Sequence, residues 1–138
     1  SDIPAALLAG QKECAESQIA LLAKKRNEKL SAKEESELLM LTIGLEMYAR
    51  GITMAPIDLY ASPVHAFDAK DKLVIPPLRA VPSVSDAMAT DLGEERDREF
   101  TSQEDILQRT RLNKTAMEGL RSVGALEGLA ETNQLSFF

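Results

Sequence analysis

Residue types that build many functional sites are scarce in this chain of 138 residues. Its single cysteine, Cys14, excludes an internal disulfide framework and a cysteine-based zinc site. Its single histidine, His65, leaves little for metal binding or acid–base chemistry, and we interpret it as a surface or packing residue. Tryptophan is absent and aromatic residues make up only 4%, so the core must consist mainly of aliphatic residues, which suits helices.

The chain also lacks the features of a membrane or secreted protein. No apolar run approaches the roughly 18 residues of a membrane span, and the stretch SDIPAALLAG lacks the charged leader of a signal peptide. We therefore expect an intracellular protein, or a piece of one, with no membrane partner. The net charge of −6 does not favour a strong stand-alone nucleic-acid binder, although it is compatible with a local basic patch.

What is present is helical periodicity, which predicts two helices at residues 12–29 and 32–50. Ser31 and Glu34 form a capping-box pattern at the start of the second helix, and Gly51 is a good C-terminal cap. We expect the two helices to form an antiparallel hairpin. The apolar residues expected on their inner faces are Ala15, Ile19, Leu22, Leu38, Leu41, Leu45 and Tyr48.

Residues 52–75 have a different pattern. The β-branched and apolar residues of ITMAPIDLY, together with its proline, predict a short edge strand. The stretch AFDAKDKLVIP predicts a small β-hairpin with its turn at residues 68–72 and a return strand at residues 73–75. Pro76 and Pro77 end this hairpin.

Residues 76–126 are predicted to form two helix–loop–helix units in tandem. The first unit has a loop at residues 82–85, and the second has a loop at LNK with Asn113 as the N-cap of a helix that stops near Gly124. The stretch from Glu127 has no periodicity and is predicted to be extended. The capping-box pairs available in TSQED are Thr101 with Glu104 and Ser102 with Asp105.

The predicted fold class is therefore mainly α with a small β element. We expect four segments along the chain. They are a helical hairpin at residues 1–51, a strand and β-hairpin connector at 52–75, a tandem module at 76–129 and an extended C-terminal tail at 130–138.

Three stretches of the sequence carry a resemblance to a known family. They are RGITMAPIDLYAS, LVIPPLRAVPSVSDAMA and the run from FTSQEDILQRT to the final NQLSFF. In this order they resemble the C-terminal end of the PolC-type DNA polymerase III alpha subunit, from about Asp2 to Phe138. The most specific parts are residues 56–60, residues 75–77 and NQLSFF.

The resemblance implies a non-catalytic piece of a replicative polymerase, active in the cytoplasm at the nucleoid. Residues up to about 75 would belong to the fingers, and residues 76–126 would be a tandem helix-hairpin-helix module that grips duplex DNA. The catalytic carboxylates and their Mg²⁺ ions would lie elsewhere in the parent chain, so no cofactor or metal is expected in this fragment. The implied partners are double-stranded DNA, the remainder of the polymerase and the beta sliding clamp.

A helix-hairpin-helix binds DNA phosphates through backbone amides at its loop, which usually has a Gly-hydrophobic-Gly triplet. Ser83, Val84 and Ser85 occupy that place here. The alternative interpretations are a purely structural first hairpin and a solvated charged face on the second, where only Glu118 opposes the cations. The residues predicted to contact DNA in the second unit are Arg109, Arg111, Asn113, Lys114, Thr115 and Arg121.

The last residues of the sequence are largely apolar, whereas chain ends are commonly polar. The resemblance implies that they dock in the sliding clamp, with a hydrogen bond from the glutamine and apolar anchors. The alternative is a tail that packs on its own domain. The predicted clamp-binding residues are Gln134, Leu135, Ser136, Phe137 and Phe138.

A second hypothesis is a free-standing helical adaptor that binds a clamp or another pocketed partner through its tail and never binds DNA. The net charge and the missing loop glycines support it. Weak, salt-sensitive duplex binding by residues 76–126 would separate the two. An independent enzyme is disfavoured, because the sequence offers no nucleophile–base pair, metal set or phosphate-binding glycine loop.

Overall fold

Six α-helices, a 3₁₀ helix and three short strands make up residues 3–133, the part of the chain that the computed structural model describes. The predicted fold class, mainly α with a small β element, is confirmed. No helix within this range is long and apolar enough to cross a lipid bilayer. The helices are α1 (Ala5–Ala9), α2 (Gln11–Asn27), α3 (Ala32–Ala49), the 3₁₀ helix (Leu78–Ala80), α4 (Asp86–Glu95), α5 (Gln103–Arg109) and α6 (Lys114–Ser122).

The predicted helical hairpin is confirmed, with α2 packed along α3. The capping box at Ser31 is present: the Ser31 hydroxyl accepts from the Glu34 amide at 3.1 Å, and the Ser31 amide donates to the Glu34 carboxylate at 3.0 Å. Gly51 ends α3 with a φ of 80°, and the amide of Ile52 reaches back to the Met47 carbonyl at 3.2 Å. This is the Schellman arrangement that a glycine after a helix predicts.

The inner face of the hairpin is built around Cys14 and Leu41, both fully buried. The Cys14 thiol donates to the Leu41 carbonyl at 3.3 Å, and burial raises the pKa of this thiol. Helix α1, which the sequence did not predict, covers these residues with Leu7. A Cβ atom on Gly44 would lie only 2.1 Å from the Leu7 Cδ1 atom, so this glycine allows α1 to approach α3.

The predicted inner stripe of α2 is wrong at two positions. Ile19 is 64% exposed and Leu22 is 41% exposed. Because Cys14 and not this stripe faces Leu41, the side of α2 that carries Ile19 and Leu22 is turned to the surface. On α3, Leu39 and Ile43 are also exposed.

The connector forms a small mixed sheet in the order β1-β3-β2. Strand β1 (Thr53–Met54) pairs in parallel with β3 (Leu73–Ile75), which pairs antiparallel with β2 (Asp68–Lys70). The predicted edge strand and β-hairpin are thus present. The predicted turn at residues 68–72 is too long, because residues 68–70 pair as a strand, and Asp71 takes a φ of 56° in the tighter turn.

The larger core belongs to residues 57–126. The 3₁₀ helix and helices α4, α5 and α6 enclose it, and each of the three α-helices begins at a side-chain cap, as the sequence predicts for α5 and α6. In α5 the Ser102 hydroxyl accepts from the Asp105 amide at 3.0 Å. The largest fully buried side chains of this core are those of Phe100, Leu78, Leu92, Ile106 and Leu120.

Candidate nucleic-acid interface

The two hairpin loops share the residues that lead into the following helix. In each, a buried apolar residue precedes a polar N-cap: Val84 before Ser85, and Leu112 before Asn113. The Ser85 hydroxyl accepts from the third amide of α4 at 3.2 Å, and the Asn113 carbonyl oxygen accepts from the third amide of α6 at 2.8 Å. The apolar residue anchors the loop in the core, while the cap fixes where the following helix begins.

The caps leave the first helical amides unpaired. Within residues 3–133, no acceptor takes the amide hydrogens of Lys114 and Thr115, and the same holds for Asp86 and Ala87 at the start of α4. Amides in this position carry the positive end of the helix dipole. Each loop therefore presents amides of the kind that bind a phosphate oxygen.

Ser83 has the backbone conformation that a glycine favours. Its φ is 67°, in the left-handed region, and its side chain is exposed. A serine in this region costs about 1–2 kcal/mol relative to glycine. The loop therefore has a positive φ at the first position of the triplet, where a glycine is usual, while Ser85 at the third position has a φ of −78°.

Two contacts fix the loops relative to each other. A Cβ atom on Gly119 of α6 would lie 1.8 Å from the Pro82 carbonyl oxygen, so the absence of a side chain allows α6 to touch the first loop. The Arg111 guanidinium donates to both carboxylate oxygens of Asp91 on α4, each at 2.9 Å, and the Arg111 amide donates to Oδ2 at 2.7 Å. These hydrogen bonds hold the pKa of Asp91 below its usual value.

Arg109 has an internal role that the sequence did not predict. Its side chain is 10% exposed, and its guanidinium lies 4.5 Å from the centre of the Phe100 ring. It donates to the carbonyls of Arg98 at 2.9 Å and Glu99 at 3.3 Å, and to the Asp105 carboxylate at 3.0 Å. The guanidinium thus joins the end of α4 to α5, and Arg109 is not part of the proposed interface.

The other predicted cations are spread around the second loop. Lys114 and Thr115 are exposed at the first turn of α6. Arg111 is exposed, but its charge is shared with Asp91. Arg121 donates to the Gln103 side chain at 2.8 Å and lies about 10 Å along α6 from Lys114. The structure therefore places Lys114 and Thr115, but not Arg121, beside the free amides.

The first loop has a neighbouring cation that the sequence did not predict. The Arg79 Nε atom donates to the His65 carbonyl at 2.8 Å and lies 3.6 Å from the Asp86 carboxylate at the start of α4. The His65 ring lies against Thr90 at 2.8 Å, in a surface position. The only sequence indication was the position of Arg79 in the run that precedes the loop. Within residues 3–133, no cluster of three histidine, cysteine or acidic residues could hold a metal.

The segment that leads into the tail is held at the start of α5. We call residues 129–133 the stem. The carbonyls of Ala130 and Glu131 accept from the first two amides of α5 at 2.8 and 2.9 Å. The Thr101 hydroxyl donates to the Asn133 side chain at 2.8 Å. The predicted clamp-binding residues, Gln134, Leu135, Ser136, Phe137 and Phe138, lie outside the described residues.

Known proteins are similar to this chain. The model of the helix-hairpin-helix motif family matches residues 51–135. Proteins described as DNA polymerase III PolC-type are 43% identical in Halalkalibacterium halodurans, 41% in Clostridium perfringens and 39% in Listeria monocytogenes. These matches cover 78%, 79% and 78% of this chain, which spans 8% of the length of each of these curated relatives. The chain therefore belongs to the helix-hairpin-helix family, and its resemblance to a segment of PolC-type DNA polymerase III is confirmed.

Proposed function

We propose that the chain is a non-catalytic part of a bacterial replicative DNA polymerase that grips duplex DNA through its backbone and docks on the sliding clamp. One observation supports DNA binding: two loops each have a buried apolar residue, a polar N-cap and unpaired amides at a helix start, and the first loop contacts α6 at Gly119. Catalysis and Mg²⁺ binding are assigned to the remainder of a longer chain, acting in the cytoplasm at the nucleoid.

Each loop would hold one phosphate. At the second loop, the amides of Lys114 and Thr115 would donate to the phosphate oxygens, and the Lys114 ammonium would add a charge. At the first loop, the neighbouring groups are the Ser83 hydroxyl and Arg79, whose charge is shared with the Asp86 carboxylate, so this loop should hold a phosphate more weakly than the second. Contacts of this kind position a protein on DNA and carry no sequence information, so binding is expected to be independent of sequence.

Duplex binding by the chain itself should be weak, because its net charge of −6 repels DNA at long range. Within the parent polymerase, the chain would bind DNA alongside stronger DNA contacts made by other parts. Tethering to a ring that encircles DNA keeps the local concentration high, so weak individual contacts suffice for processive synthesis.

Fluorescence anisotropy with duplexes of unrelated sequence tests DNA binding. Lys114→Glu should lower the affinity alike for all sequences and reduce the salt slope by about one. Lys29→Glu is the matched control, since Lys29 is an exposed lysine between α2 and α3. No duplex binding at low salt, or equal losses in both variants, would contradict the grip and favour the adaptor hypothesis, which the net charge supports.

Clamp docking rests on the sequence of the tail. Leu135, Phe137 and Phe138 would fill apolar subsites, and Gln134 would hydrogen-bond at the rim of the pocket. A peptide of residues 131–138 should bind a purified bacterial sliding clamp saturably. The triple variant Gln134→Ala, Leu135→Ala, Phe138→Ala should not bind. Equal binding by both peptides, or by neither, would contradict the clamp assignment.

A further inference from the structure

A groove lies between α5, α6 and the stem, beside the proposed DNA contact. We call it the α5–α6 groove. It has a volume of about 440 Å³. Its apolar lining residues are Leu107 and Met117. The others are polar or charged and include the cations Lys114 and Arg121, the carboxylates Glu104 and Glu118, and Glu131 and Thr132 of the stem.

The groove combines a small apolar surface with polar and charged groups. Leu107 is 37% exposed on α5, while Met117 of α6 is 4% exposed. Lys114 and Arg121 line the groove about two turns of α6 apart, together with the carboxylates of Glu104 and Glu118. Its volume lies in the range of pockets that hold small ligands.

The described part of the chain ends at this groove. Glu131 and Thr132 form part of the lining, and the Glu131 carbonyl is fixed to the Glu104 amide at 2.9 Å. Asn133, the last described residue, is held by the Thr101 hydroxyl just before α5. Five extended residues reach about 17 Å, whereas the seven residues of α5 span about 10 Å. Residues 134–138 are therefore long enough to cross the groove.

The composition of residues 134–138 fits the groove. The segment has no charged side chain and carries three large apolar ones: Leu135, Phe137 and Phe138. Aromatic rings gain free energy when they leave water for an apolar surface, and they make favourable contacts with methionine sulfur. Because the two partners belong to one chain, even a weak contact is populated at the high effective concentration that a short linker gives.

We propose that residues 134–138 dock in the α5–α6 groove of their own chain, with aromatic side chains against Leu107 and Met117, and leave it when a partner takes them. Docking covers Lys114. If Lys114 contacts DNA, as the proposed function requires, the docked tail and DNA compete for this residue. The same docking withholds the tail from the clamp. DNA binding therefore releases the tail, and by linkage clamp binding exposes Lys114.

Methyl NMR on the whole chain tests the docking directly. The Met117 methyl resonance should move when Phe137→Ser and Phe138→Ser are introduced together, because aromatic rings shift the resonances of nearby methyl groups. The Met40 methyl, which lies in the other core, should not move. An unchanged Met117 resonance overturns the proposal. A shift that depends on protein concentration also overturns it, because the tail of a second copy would then be the occupant.

Clamp titration tests the competition. Leu107→Ser removes apolar surface from an exposed position and should raise the clamp affinity of the whole chain, while the isolated peptide of residues 131–138 binds as before. If the tail is docked in three quarters of the molecules, the gain is about fourfold. Glu127→Ser, at an exposed site outside the groove, is the control. Equal affinities in the wild-type chain and Leu107→Ser overturn the competition.

Clamp binding by the tail and docking of the tail in the groove can each be disproved without the other. If the isolated peptide does not bind the clamp, the clamp assignment is wrong, while the Met117 resonance still decides whether the tail docks in the groove. If the peptide binds the clamp and the Met117 resonance is insensitive to Phe137 and Phe138, the clamp assignment stands and groove docking is wrong.

Discussion

The helical hairpin and the tandem module bury their apolar residues to different extents. Among residues 3–133, the core cluster of the hairpin has three buried residues, whereas the cluster around the module has 14. The hairpin also leaves Ile19, Leu39 and Ile43 exposed, and ion pairs such as Lys25 with Glu35 join its helices at the surface. Exposed ion pairs contribute at most about 1 kcal/mol. The hairpin should therefore unfold more easily than the module.

The largest expected effect is a test of the small core. Leu41→Asp places a charge at a fully buried position and should destabilise the hairpin by at least about 4 kcal/mol, while the module remains folded. Leu39→Asp is the matched control, since Leu39 is 61% exposed on the same helix. Thermal unfolding followed by circular dichroism should show an early transition only for Leu41→Asp. Similar curves for the two variants would contradict the assigned inner face.

The internal arginine of the module is the next test. Arg109→Leu leaves the Asp105 carboxylate with the Thr101 amide but without its cation, removes the donor to several carbonyls, and should cost about 3 kcal/mol. Arg111→Leu removes an arginine with two bonds to Asp91 but an exposed side chain, and should cost less than about 1 kcal/mol. Urea unfolding measures both. A smaller loss for Arg109→Leu would mean that its burial contributes little.

The contact between α6 and the first loop can be broken at Gly119. Gly119→Ala adds a Cβ atom 1.8 Å from the Pro82 carbonyl, so α6 must move away at a cost of about 1–3 kcal/mol. Because both loops are proposed to hold phosphates, duplex affinity should fall as well. Glu118→Ala, at the neighbouring exposed position, is the control for stability. Unchanged stability and affinity in Gly119→Ala would show that the loops do not need this contact.

A stabilising change should be available in the first loop. Ser83→Gly relieves the left-handed conformation and should stabilise the module by about 0.5–1 kcal/mol, after the added freedom of the unfolded chain is subtracted. Ser85→Gly, at a φ of −78°, should instead destabilise it by a few tenths of a kcal/mol through the lost cap. Urea midpoints compare the two. A destabilising Ser83→Gly would contradict strain at this position.

The smallest expected effect is a change in folding stability at low pH. Arg111 keeps the pKa of Asp91 below its usual value, so the ionised carboxylate favours the folded state. This contribution is complete above the unfolded pKa and is lost as the pH falls through the lower folded pKa. The stability difference between the wild-type chain and Asp91→Asn should therefore shrink below about pH 4. A difference that stays constant between about pH 7 and about pH 3 would contradict the assigned ion pair.

The parts of the fold that the sequence predicted are those with local causes. Ser31 with Glu34, Asn113 and Gly51 each act within one turn of the helix that they begin or end. The β-hairpin also follows from neighbouring residues, although the paired strands proved longer than the turn pattern indicated. The periodicity of α2 predicted a helix correctly but assigned Ile19 to the wrong face, because the covering element, α1, was not predicted.

By itself the sequence determined the order of the helices from α2 onward, the caps of α3, α5 and α6, and the resemblance to PolC-type polymerases, since these depend on near neighbours and on residue identity. Only the tertiary structure decided which cations remain at the surface. Arg109 and Lys114 look alike in sequence, but long-range packing buries Arg109 against Phe100 and leaves Lys114 beside unpaired amides. It also decided that the stem caps α5, because unpaired helix amides accept whichever carbonyls the fold brings to them.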